Sequence, residues 1–194
     1  MSQKSNLIPE HKFKVVLLGN TGVGKTCLIT QLIFQTFQDK FITSVGATFY
    51  TYEKILQQNK IKLEIWDTAG QERYHSLAPI YYRDAHAAVI IFDITERSSF
   101  DSALEWIEEL FRQGPPNSIL MLAGNKSDLT EERQISFEEA EQFSIDHSLL
   151  YVETSAKTGS NVKELFDLLC QKLPISPKQE IPHIDLEKPP KKCC

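Results

Sequence analysis

The chain has 194 residues, 41% of them hydrophobic and 24% charged, enough for one domain with a proper core and a small appendage. With 21 basic against 26 acidic side chains the formal net charge is −5, so no overall positive field exists to hold a nucleic acid. The longest wholly apolar run, residues 87–92, is far short of the roughly 20 residues that cross a bilayer; residues 1–10 lack a secretory apolar stretch and Ser2 excludes N-myristoylation, so a cytosolic protein is expected.

In chain order, the apolar run at residues 13–18 reads as a strand. Directly after it comes Gly19-Asn20-Thr21-Gly22-Val23-Gly24-Lys25-Thr26, followed by Cys27, the pattern G-x-x-x-x-G-K-[ST] opening a helix. Such a loop bends its backbone into a nest of N–H groups around phosphates. The helix N-terminus adds positive dipole, Lys25 neutralises the terminal phosphates, and the Thr26 hydroxyl can bind Mg²⁺. The helix is expected over residues 24–37, where Leu28, Leu32 and Phe37 fall at helical spacing and Phe37 reads as a core residue.

Strands are expected at residues 49–56 and 61–67, joined by a polar hairpin turn of Gln57, Gln58, Asn59 and Lys60 that makes them antiparallel neighbours. The third strand ends in Asp67-Thr68-Ala69-Gly70-Gln71. That places a carboxylate near a metal, a glycine N–H able to sense a γ-phosphate, and an amide able to orient water, all parts of phosphoryl transfer.

A strand at 87–93, a helix at 99–113 and a strand at 118–124 follow. Next comes Asn125-Lys126-Ser127-Asp128. An ionised Asp128 accepts only, which suits the N1–H and N2–H₂ donors of guanine and offers nothing to the N1 acceptor of adenine. A helix at 136–147 and a strand at 149–153 lead into Thr154-Ser155-Ala156-Lys157, where backbone N–H groups of Ser155 and Ala156 and the Lys157 stem can close over a base. A last helix is expected at 162–173. This alternation implies an α/β domain in three layers, a mostly parallel six-stranded sheet with one antiparallel edge strand and helices on both faces.

Composition changes at Pro174. Five of the nine prolines lie in residues 174–194, with almost no periodicity, which reads as a disordered tail reaching on the order of 70 Å when extended. The four cysteines, Cys27, Cys170, Cys193 and Cys194, match neither a disulfide framework nor a zinc site. Cys193-Cys194 ends the sequence, and Lys191 stands where a C-a-a-X cysteine would be, so that prenylation route is closed. The tail's net charge of only +1 leaves electrostatics a minor helper in any membrane anchoring.

Together these residues resemble the Ras superfamily of small GTPases, and within it the Rab family, over residues 12–173. Trp66-Asp67-Thr68-Ala69-Gly70-Gln71-Glu72-Arg73 matches a Rab hallmark, and Tyr74-His75-Ser76-Leu77-Ala78-Pro79 with Tyr81-Tyr82-Arg83 is similar to the second switch of the early-endosomal Rab subgroup. The resemblance implies a P-loop GTPase fold at 12–173, a flexible extension at 1–11, and a hypervariable tail at 174–194. It implies that Phe37 stacks on guanine, that Thr26 and Ser44 hold Mg²⁺ by their hydroxyls, that Asp67 reaches it through water, and that Gln71 positions the attacking water. Ser44 departs from the usual threonine, and Thr43 is an adjacent rival. Phe49, Trp66 and Tyr81 match the Rab aromatic triad read by effectors. Cys193 and Cys194 would each receive a geranylgeranyl group, two chains giving durable anchoring where one does not.

The implied activity is hydrolysis of GTP to GDP and phosphate by a monomeric switch on the cytoplasmic face of endosomal membranes, cycling with cytosol, in vesicular and endocytic traffic. None of the five arginines has a clear claim to act as an arginine finger, so a GTPase-activating protein is implied, with an exchange factor, a prenyl-binding escort and effectors. Two other readings stay open: a P-loop kinase, for which no arginine-rich lid is found, and an adaptor locked with GTP, which Ser44 makes conceivable.

Overall fold

The computed structural model describes residues 8–37, 46–68, 70 and 78–175. Six strands form one sheet: β1 (Glu10–Leu18), β2 (Ala47–Leu56), β3 (Asn59–Thr68), β4 (Ala87–Asp93), β5 (Ile119–Asn125) and β6 (Leu150–Glu153). Their order is β2-β3-β1-β4-β5-β6. Every neighbouring pair is parallel except β2 with β3, so the sheet has the single antiparallel edge expected of a P-loop GTPase fold.

Among the described residues five helices surround it: α1 (Lys25–Phe34), α2 (Ala78–Tyr82), α3 (Arg97–Gln113), α4 (Phe137–Asp146) and α5 (Val162–Lys172). Alternate residues along each strand face opposite ways. Val15, Leu17, Ile61, Leu63, Ile65, Val89 and Ile91 pack on one side against Leu28 and Ile29 of α1 and Leu165, Phe166 and Leu169 of α5. Val16, Leu18, Ala88, Ile90 and Phe92 pack on the other against Phe100, Ala103, Ile107 and Leu110 of α3, with Tyr82 and Ala140. Because both faces are covered, all of β4 is buried and its sequence is an unbroken apolar run up to Asp93.

Several boundaries move from their expected places. β1 starts at Glu10, because its polar first rungs pair with β3 and Glu10 joins Lys60 at 3.2 Å, a gain that hydrophobic periodicity does not register. The hairpin turn shrinks to Gln57 and Gln58, since Asn59 and Lys60 already pair with Leu56 and Ile55. The first helix stops at Phe34: Gln35 turns left-handed (φ 53°) and its N–H closes on the Gln31 carbonyl at 3.0 Å. Phe37 therefore lies outside α1 and is not part of its core face, a correction to its helical reading. Both α2 and a 3₁₀ turn at Thr130–Glu132 lie where only loops were expected; each is too short to show periodicity. No helix among the described residues is long and apolar enough to cross a membrane.

The five parallel strands end at one rim of the sheet. The loops that leave β1, β3, β4, β5 and β6 there make the crevice in which ligands of open α/β sheets bind.

Candidate functional site

The loop leaving β1 enters α1 through Gly24, which is left-handed (φ 97°) and offers no side-chain cap, and it brings the loop backbone to the positive end of the helix. Glycine is required there for a second reason: a Cβ would collide with Asn125 Nδ2. The buried Lys25 ammonium donates to the carbonyls of Gly19 at 2.8 Å and Asn20 at 2.9 Å, bracing the loop from within. Burial lowers its pKa to about 8 against the opposing pull of Asp67. Gly70 lies hard against this loop, where a Cβ would collide with Lys25 Nζ and with the backbone N of Thr21.

At the next position of the helix, Thr26 Oγ1 donates to Asp67 Oδ2 at 2.6 Å. Asp67 is fully buried, and its other oxygen, Oδ1, has no hydrogen-bond partner. Desolvation raises the pKa of this carboxyl, while the Thr26 hydroxyl and Lys25 pull it down. A buried carboxylate oxygen left without a donor, next to a hydroxyl, fits a hard divalent cation. Among the described residues no group of three or more His, Cys, Asp or Glu side chains could hold a metal by itself. Mg²⁺ takes most of its oxygens from phosphate and water, so one carboxylate and one hydroxyl suffice for it. Ser44 and Gln71, assigned to metal and to water, lie outside the described residues.

Across the rim, a cleft of about 420 Å³ is lined by Gly22, Cys27, Phe37, Lys126, Asp128, Ala156 and Lys157 among others. Asn125 ties its walls together. Its Nδ2 donates to the Val23 carbonyl at 2.8 Å, and its Oδ1 accepts from Ala156 N–H at 3.1 Å and Thr154 Oγ1 at 3.3 Å. Ser155 Oγ donates to Asp128 Oδ1 at 2.6 Å. Lys126, left-handed at φ 66°, forms an ion pair with Asp93 at the end of β4. Asp93 also accepts from Thr95 N–H and Oγ1. Burial pushes the Cys27 thiol up to about 11, so it lines the cleft as a neutral group.

Of the residues assigned to nucleotide, the structure brings together those it describes, from the β1, β3, β5 and β6 loops with Phe37 from the segment after α1, while Ser44 lies outside the described residues. It adds Asp93, which the sequence reading missed. The signal was present, because a carboxylate closing a wholly apolar strand has no packing reason to be there.

The aromatic residues form a separate surface. Phe49 on β2 stands opposite Trp66 on β3, with ring centroids 5.4 Å apart, and Trp66 meets Tyr81 of α2 at 5.8 Å. Phe49 remains 48% exposed. Trp66 immediately precedes Asp67 in β3, so the surface adjoins that carboxylate through the backbone. Cys193 and Cys194 lie outside the described residues.

Comparison with known families finds that a model described as the Ras family matches residues 14–175.

Proposed function

The chain belongs to the Ras family, and from that premise we propose that it is a Rab-type switch that controls membrane traffic at endosomes. The family binds GTP and GDP with Mg²⁺ and hydrolyses GTP. The observation that supports the nucleotide-switch part of this reading is Asn125, which bonds at once to the phosphate loop and to the Ser155 loop, so phosphate and base would be held by one connected frame; the Rab part rests on the resemblance at residues 66–83.

In the proposed mechanism the loop N–H groups and Lys25 receive the phosphates, and Asp128 accepts from N1–H and N2–H₂ of guanine while Phe37 and Lys157 flank the ring. Thr26 and Ser44 would hold Mg²⁺ by their hydroxyls and Asp67 through water. When bound, that ion neutralises charge on the β- and γ-phosphate oxygens. Gln71 orients the attacking water, which yields GDP and phosphate. Gly70, pressed against Lys25 and Thr21, senses the γ-phosphate. Through Asp67 and Trp66 that contact alters the Phe49–Trp66–Tyr81 surface, which effectors read. Cys193 and Cys194 carry two geranylgeranyl groups that keep the protein on the cytoplasmic face of the membrane. An exchange factor, an activating protein and an escort complete the cycle.

Chromatography of nucleotide released from the purified protein should give GDP with some GTP, and titration should favour GDP over ADP strongly. ADP binding as tightly as GDP would refute the base assignment, and GTP alone would indicate a locked adaptor. For the anchor, the Cys193→Ser, Cys194→Ser double variant should move from the membrane pellet to the supernatant; a variant that still pellets refutes lipidation there.

A further inference from the structure

The two loops that frame the base cleft are joined on their inner side by Asn125, by Ser155 to Asp128, and by Ser127 N–H to the Thr154 carbonyl at 3.0 Å. They are also joined on the outside, by residues that do not line the cleft. Residues 126–133 leave β5, carry Asp128 and end at Arg133. Residues 154–161 leave β6 directly after Glu153 and carry Ser155. The Arg133 guanidinium grips the Glu153 carboxylate with both ends of its fork, Nη1 to Oε1 at 2.6 Å and Nη2 to Oε2 at 2.8 Å.

Both partners are fixed in turn. Arg133 Nη1 also donates to the Ile135 carbonyl at 3.0 Å, and Tyr151 Oη donates to Glu153 Oε1 at 3.1 Å. The Glu153 carbonyl accepts from Asn161 Nδ2 at 2.9 Å, so this residue holds both ends of the Ser155 loop. The side chains are only 25% and 13% exposed, so the pair is shielded from solvent more than a surface salt bridge is. Removing one member would strand a largely buried charge. A lysine at 133 would keep the charge and lose the fork.

We infer that Arg133 and Glu153 are positioning residues for base selection, an outer clasp that fixes Asp128 and Ser155 relative to one another. The inference rests on the guanine reading above. Asp128 tells guanine from hypoxanthine by the 2-amino group, so the preference for GDP over IDP measures how well that carboxylate is placed.

The test is titration of the full chain with GDP and with IDP in Mg²⁺, with thermal melts alongside. Arg133→Ala and Glu153→Gln should each reduce the GDP-over-IDP ratio by about three- to tenfold, and Arg133→Lys by less. Should Arg133→Ala fail to fold, Arg133→Lys carries the test. A variant that melts lower yet weakens GDP and IDP equally overturns the clasp, leaving it a mere structural tie. Asp128→Ala separates the two layers. If it collapses the ratio while Arg133→Ala leaves it intact, only the clasp is refuted; if it leaves the ratio untouched, the guanine reading itself has failed.

Discussion

Lys25 and Asp67 are opposite charges buried in one site, and desolvation drives each toward its neutral form. Such groups weigh against folding. For Lys25 the folded pKa of about 8 lies below the ordinary 10.5, so the unfolded chain holds the proton more tightly. The resulting penalty stands in full below pH 8 and is relieved as pH rises from 8 to 10.5. In nucleotide-free protein Lys25→Met, which fills the same space without charge, should therefore lose the parent's gain in Tm as pH rises from 8 to 10.5, read by thermal melts across that range. It should also lose on the order of 100-fold in GDP affinity, read by titration, because the phosphates lose their buried cation. This part of the site was legible in the sequence: the G-x-x-x-x-G-K-[ST] spacing named Lys25 and Thr26 outright, and the carboxylate ending the third strand named Asp67. Phe37 was not, since helical spacing counted it into a helix that Gln35 had already ended.

At the scale of elements, hydrophobic periodicity found every strand and every helix of ten or more residues among the described residues. It placed strand starts late wherever the first rungs are polar, as at Glu10 and Asn59, because ladder hydrogen bonds and ion pairs leave no periodic trace. The hairpin shows the same blindness. Gln57 (φ 49°) and Gln58 (φ 62°) are both left-handed, the conformation of a two-residue turn whose twist matches the strands but which favours Asn and Gly. Two glutamines there are strained, by about 1 kcal/mol each. Gln58→Gly should accordingly stabilise the protein by about 1 kcal/mol, seen as a rise of about 2–4 °C in Tm by calorimetry. A fall would mean that the Gln58 side chain contributes more than its backbone strain costs.

At the scale of the whole molecule, the site is assembled from loops far apart in sequence, and Asn125 reaches 102 residues back to Val23 to join them. A ligand that spans this frame stabilises the native state alone, so GDP with Mg²⁺ at about 1,000 times its Kd should add about 4 kcal/mol. For a chain of this size that is on the order of 10 °C in Tm. Chelating the divalent ion should remove part of that gain, because Asp67 then returns to its uncompensated burial. The amino-acid sequence by itself determined the layered α/β fold and the chemistry of each loop, since alternation of apolar runs and the spacing of glycine, lysine and carboxylate are local properties. Which residues grip one another across those loops was decided only in three dimensions. The Asp93–Lys126 and Arg133–Glu153 pairs and the Phe49–Trp66–Tyr81 contacts depend on strand order and register, which bring side chains together without leaving a mark on the residues between them.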